Sequence, residues 1–126
     1  MNTLSFEYLF NTSSKILYQR LSTASGLNEW FADNVSINNE VMTFSWGDTE
    51  QKAKIIRQKN NLYVKFEWMD NPERYTEFKI EKNSLTEDLT LFITDVVEDD
   101  EDEDFITSLW DSSIKKLKNK LGLKVN

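Results

Sequence analysis

Between residues 34 and 97 apolar side chains recur at every second position, whereas on the two flanks they also recur at every third or fourth. A period of two marks strands and a period of about 3.6 marks helices. The switch near residue 34, and the return near 104, constrain this chain to a run of strands bracketed by helices. The clearest strand is LYVKFEWM (62–69), with Leu62, Val64, Phe66 and Trp68 on one face and Tyr63, Lys65 and Glu67 on the other. NVSI (34–37), VMTFSW (41–46), EQKAKIIRQ (50–58), YTEFKIE (75–81) and DLTLFITDVV (88–97) read the same way, separated by NNE, the turn at Gly47, KNN, DNPER and KNS. Met42, Phe44 and Trp46 fall on one face, as do Thr76, Phe78 and Ile80, and Leu89, Leu91 and Ile93.

A further strand, TLSFEYLF (3–10), opens the chain with Leu4, Phe6, Tyr8 and Phe10 on one side. SKILYQRLS (14–22) follows with Ile16, Leu17, Arg20 and Leu21 at helical spacing. Gly26 is the expected stop after it, and LNEWFAD (27–33) reads as a second short helix through Leu27, Trp30 and Phe31. The longest helix is expected over about 104–121, with Ile106, Trp110, Ile114, Leu117 and Leu121 on one stripe flanked by Phe105, Leu109 and Ser113. A sheet that is apolar on one face must be covered, and this helix has the matching stripe. The expected architecture is α+β: a curved antiparallel sheet of six to seven strands gripping a long C-terminal helix, with two short helices after the first strand, in one domain spanning 1–126.

Composition narrows the function classes. Seven acids stand in a row from Glu98 to Asp104, and outside that run acids balance the 15 lysines and arginines. No basic excess exists to neutralise phosphates, which argues against nucleic acid, and an acidic chain suits anionic membranes poorly. The chain has no cysteine and no histidine, which removes thiolate chemistry, the usual general base and the commonest transition-metal ligand. No signal-peptide pattern and no membrane-length apolar run is present, so a cytoplasmic location is the expectation.

The acid run has three readings. Asp102, Glu103 and Asp104 fall at the start of the long helix, while Lys115, Lys116, Lys118, Lys120 and Lys124 crowd its end, and both biases complement the helix dipole. A calcium loop would need a turn-forming glycine and spaced acids, neither of which is present, so no metal site is expected. A docking patch for a basic partner is the third. For catalysis, Tyr63, Lys65 and Glu67 form the one acid–base set in alternation, but on the polar face, and no enzyme activity is expected. Arg57 and Arg74 lie beside loops, where each could orient a ligand carboxylate or form a surface ion pair.

Trp30 in LNEWFAD, FSW (44–46), VKFEW (64–68) and LWDSSIKKLKNKL (109–121), in this order after a helix pair, resemble the START-like helix-grip superfamily, also called SRPBCC. The resemblance covers roughly residues 4–121 and is nearest the branch of heat shock protein 90 ATPase activator homologues. STASGLNEWFAD, LTEDLTLFITD and LW before a lysine-rich helix resemble, more narrowly, a small bacterial START-like family. Where the activator branch often has glycine before the final tryptophan, this chain has Leu109. The resemblance implies a cavity between the concave sheet and the long helix that takes lipids or other small apolar molecules, without a cofactor. The inward-facing candidates to line it are Phe6, Trp30, Phe44, Trp46, Phe66, Trp68, Phe78, Leu91 and Trp110. Aromatic stripes at strand spacing also make ordinary cores, in which case the domain would serve protein interaction, by homodimerisation or by assisting a chaperone.

Overall fold

The period-two stretch forms a single sheet. The computed structural model describes residues 1–124, so the last two positions of the expected 1–126 unit lie outside the described residues. The strands are β1 (Asn2–Phe10), β2 (Asn34–Asn38), β3 (Val41–Trp46), β4 (Thr49–Lys59), β5 (Tyr63–Trp68), β6 (Tyr75–Lys82) and β7 (Leu89–Val97), and the helices are α1 (Ser14–Ser22), α2 (Ala24–Leu27) and α3 (Glu103–Lys120). The sheet order is β1-β7-β6-β5-β4-β3-β2, every pair antiparallel. Six of the strands follow one another as hairpins. β1 leaves this series, and the two helices that follow it carry the chain across to β2 at the far edge. A register shift between Ile55 and Arg57 bends β4, as an extra residue in one strand does.

The alternation becomes burial as the sequence anticipates. Val64, Phe66 and Trp68 of β5, Thr76, Phe78 and Ile80 of β6, and Leu89, Leu91 and Ile93 of β7 are all buried. Each such apolar side chain contributes about 1.5–3 kcal/mol by leaving water. Leu62 is an exception at 42% exposure. It belongs to the turn before β5, where its N–H donates to the Lys59 carbonyl at 3.0 Å. On the opposite face Tyr63, Lys65 and Glu67 are half-buried, and the Lys65 ammonium stands 4.0 Å from the Tyr75 ring centroid.

The helix pair departs from expectation in two places. In α1 the buried face is Leu17, Tyr18 and Leu21, with Ile16 turned to solvent. The helix begins at Ser14 behind the Ser13 cap and lies against β5 and β6, which selects that face. Gly26 does not stop a helix; it lies inside α2. The Thr23 hydroxyl accepts the Gly26 N–H at 2.9 Å and so starts α2 three residues early. A Cβ at Gly26 would run into the Gln19 carbonyl and sit 2.7 Å from Arg20 Cα, so glycine is what lets α2 press against α1. Trp30 and Phe31 therefore project from the turns after α2.

The long helix begins one residue before the expected point, at Glu103. Asp102 caps it by accepting the N–H groups of Asp104 and Phe105 at 3.0 and 3.2 Å. Trp110, Ile114 and Leu117 are its buried residues. Trp110 rests against Phe6 of β1 and Phe78 of β6, ring centroids 6.2 and 5.9 Å apart. The Tyr8 hydroxyl donates to Asp111 at 2.6 Å and joins β1 to the same half of the helix. Burial and this bond both push the Tyr8 hydroxyl above its ordinary pKa. Among the described residues, no helix is long and apolar enough to cross a membrane.

Candidate functional site

The space between α3 and the concave sheet is not filled evenly. Its interior is occupied by an aromatic cluster centred on Phe31. That ring lies 5.3 Å from Phe44, 5.4 Å from Trp30, 5.6 Å from Trp46 and 5.8 Å from Trp110, centroid to centroid. Phe66 packs edge-on to Phe44 and Phe78. Edge-to-face and offset contacts at 4.5–7 Å are the favoured arrangements of aromatic rings.

Beyond Phe31, toward the N-terminal half of α3, the space opens into a groove of about 790 Å³. All four tryptophans of the chain, Trp30, Trp46, Trp68 and Trp110, line it. α3 supplies one wall through Phe105, Ile106, Leu109 and Ser113, and the sheet ends supply the floor through Thr76, Asp95 and Val97. Of the residues expected to line a cavity, the four tryptophans come together here. Phe44, Phe66, Phe78 and Leu91 lie outside the lining, in the buried core, where neighbouring side chains fill the space around them. Phe6 packs on the edge of that core.

The floor carries polar chemistry. Asp95 is 8% exposed, and it and Thr76 are the buried polar residues among those described. The Trp68 indole N–H donates to the Thr76 hydroxyl at 3.0 Å. That hydroxyl donates to Asp95 Oδ1 at 3.0 Å, and the Trp110 indole N–H donates to Asp95 Oδ2 at 3.0 Å. A chain of hydrogen bonds thus runs from β5 through β6 and β7 to α3. Burial raises the Asp95 pKa above its ordinary 3.8; the bonds from Trp110 and Thr76 and the nearby Arg74 pull it down, and Glu101 pushes it up. The other indoles are anchored on backbone carbonyls, Trp30 on Arg20 at 2.8 Å and Trp46 on Phe31 at 2.9 Å. Their N–H groups are satisfied, which fixes the rings that line the groove.

Arg74 also lines the groove, its Nε donating to the Val96 carbonyl at 3.3 Å, so the surface ion pair expected for it is replaced by a partly buried backbone contact. Arg57 lies on exposed β4 over the Tyr63 ring, 5.2 Å from its centroid and outside the groove lining. The set Tyr63, Lys65 and Glu67 lies on the other side of the sheet.

Two residues of the site escaped the sequence reading. Helical spacing groups Phe31 with Leu27 and Trp30, and nothing in that spacing marks it as the hub of a cluster. Asp95 had a signal: it has the same parity as Leu89, Leu91 and Ile93, so alternation alone carries it inward.

The acid run borders the groove mouth. Glu101 is part of the lining. Glu98 Oε1 accepts from the Asn71 amide at 3.1 Å, tying the run to the turn between β5 and β6. No cluster of three or more His, Cys, Asp or Glu side chains placed to hold a metal ion occurs among the described residues.

A family model described as a START-like superfamily domain matches residues 1–123. Among solved structures, a Bacteroides fragilis protein determined by solution NMR is 39% identical, with 99% of this chain and 94% of that chain covered and a TM-score of 0.66. The Aha1 dimer from Colwellia psychrerythraea aligns at 17% identity over 94% of this chain and 95% of its own, with a TM-score of 0.77. XoxI from Bacillus cereus aligns at 11% identity over 95% of each chain, with a TM-score of 0.79. These last two likenesses carry the fold alone. No curated protein matches.

Proposed function

The chain belongs to the START-like superfamily, whose domains are in general ligand-binding or protein-interaction modules, and from that premise we propose that it is a non-enzymatic binding module for a small hydrophobic or lipid-like molecule. One observation carries the reading: a groove of about 790 Å³ with every tryptophan of the chain in its lining. Small-molecule sites are concave, mostly apolar, of roughly 300–1,000 Å³, and carry a few polar groups that fix orientation. Asp95, Thr76 and Arg74 supply such groups. In this reading Trp30, Trp46, Trp68 and Trp110 hold the ligand, and Phe6, Phe44, Phe66, Phe78 and Leu91 support those rings from the core. Residues 1–126 act as one unit.

A second reading, a protein-interaction domain that homodimerises or assists a chaperone, is favoured by one specific feature. Phe105 and Leu109 are 60% and 50% exposed on the rim of the groove, and exposed apolar pairs of this kind serve partners as well as ligands. Native mass spectrometry of the protein purified from its own host separates the two. The ligand reading expects a monomer carrying the added mass of a small organic molecule. A ligand-free dimer would favour the interaction reading instead.

A further inference from the structure

The charge around the groove is not balanced, and the helix dipole does not explain all of it. Asp102 caps α3, and Glu103 and Asp104 occupy its first turn. Glu98, Asp99, Asp100 and Glu101 precede the helix, and four like charges on a short loop repel one another. Glu101 enters the lining of the groove together with Asp33 and Asp95, while Asp99 pairs with the Met1 ammonium at 2.6 Å and Glu98 accepts from Asn71. Against these three acids the lining offers Arg74, whose Nε is held by the Val96 carbonyl, and Lys116 on α3. The lining thus carries three acids against two bases, with Glu101 at the mouth, the buried Asp95 at the floor and indole rings between.

We propose that the groove takes a cationic amphiphile: a small molecule with an ammonium group on an apolar body. The proposal rests on reading the groove as a ligand site and names the class of ligand. Indole faces are the best aromatic partners for ammonium groups, and more so where water is excluded. A carboxylate at the floor supplies the countercharge where the surroundings screen it least. Acids around a cleft raise the local concentration of a cation and speed its entry. Each Asp95 oxygen accepts one bond from the protein, and a carboxylate oxygen has a second lone pair for a ligand N–H. A fatty acid would carry its charge toward Asp95 and past Glu101, against both. This assigns work to Glu101, the one residue among the first four acids of the run that lines the groove.

The test uses octylamine, octanol and octanoate, which share one apolar body and differ in head group, at neutral pH and low salt, with tryptophan fluorescence as the readout. Octylamine is expected to bind about tenfold tighter than octanoate, with octanol between them. Added salt should weaken octylamine and leave octanol unchanged. Asp95→Asn should lower octylamine affinity by about tenfold and octanol affinity by less than about twofold. Glu101→Gln, at an exposed position, should lower octylamine affinity by about threefold even if the Asp95 variant does not fold. Octanoate binding as tightly as octylamine overturns the cationic class and leaves the groove reading standing. An unchanged octylamine affinity in Glu101→Gln likewise overturns it. If none of the three probes alters the fluorescence up to its solubility limit, the groove reading falls and this proposal with it.

Discussion

The two halves of α3 face the same sheet but are held in different ways. At the C-terminal half, Ile114 and Leu117 are sealed into a core cluster with Phe10, Leu17 and Leu21. Leu117 has no exposed surface. At the N-terminal half the apolar side chains Phe105 and Leu109 stand in solvent, and beside the packing of Trp110 and Ile106 on the core the helix is fastened by hydrogen bonds, Trp110 to Asp95 and Tyr8 to Asp111. The difference shows how one helix can be gripped by a sheet and still leave an opening. Dispersion and burial seal a space only where side chains fill it. Directional bonds can hold two elements together beside a gap, and the groove lies where those bonds supplement a thinner packing.

Trp110 sits at the junction of the two regimes, so replacing it should have the largest effect. Trp110→Ala removes a buried ring and one donor to Asp95, and a loss of about 3–5 kcal/mol is expected. A domain's whole stability is about 5–15 kcal/mol, so the urea midpoint should fall steeply or the protein should fail to fold. An unchanged midpoint would mean that Trp110 is not packed as described.

Leu117→Ala and Leu109→Ala sharpen the contrast, because the same chemistry is applied at the closed and the open end. The first should cost about 2–5 kcal/mol, since it leaves a cavity in a filled core. The second should stay within about 0.5 kcal/mol, as exposed substitutions do. Equal losses in urea titrations would remove the distinction between the two halves.

At the start of the open half, Asp102→Ala should cost about 0.5–2 kcal/mol, because a cap bonded to two N–H groups is lost along with a favourable charge. Thermal unfolding of this variant beside Asp104→Asn, which removes first-turn charge without the cap, separates the two contributions. The Asp102 loss should be the larger.

The mildest test concerns Asp95. Its folded-state pKa is raised above the ordinary 3.8, chiefly by burial. A group of this sign contributes stability that is fully present below the unfolded pKa and is lost as pH rises through the folded value. The Asp95 contribution should therefore weaken on going from about pH 4 toward neutrality, and Asp95→Asn should flatten that part of the stability profile. The stability advantage of the wild-type protein over the variant should be larger at the acid end. A difference that grows toward neutral pH would show that the hydrogen bonds, rather than burial, dominate at Asp95.

The sheet was legible in the sequence because its signal is redundant. Leu89, Leu91 and Ile93 repeat one parity on β7, and Val64, Phe66 and Trp68 repeat another on β5, so a single misread residue changes nothing. The helix pair was less legible because each of its boundaries turns on one contact. Thr23 caps α2 and Gly26 lets it touch α1, and neither fact has a period. The candidate site was legible by half. Parity brings Trp46 and Trp68 to the inner face and the helical stripe brings Trp110 there, but whether an inward ring meets another ring or a groove is decided by where Phe31 lands, and a turn places Phe31. Asp95 could have been found, since alternation carries it inward like its neighbours. The opening itself depends on distances between elements far apart in sequence.

On the reading proposed above, the open end binds a small amphiphile while the closed end remains core. The most direct measurement is a titration of the isotope-labelled protein with octylamine, followed by the NMR signals of the four tryptophan indole N–H groups and of the backbone amides. The signals of Trp30, Trp46, Trp68 and Trp110 are expected to move together and saturate, with the amides of Ile114 and Leu117 unmoved. Saturable shifts confined to the closed end, or indole signals that stay still while exposed surface amides move, would contradict it.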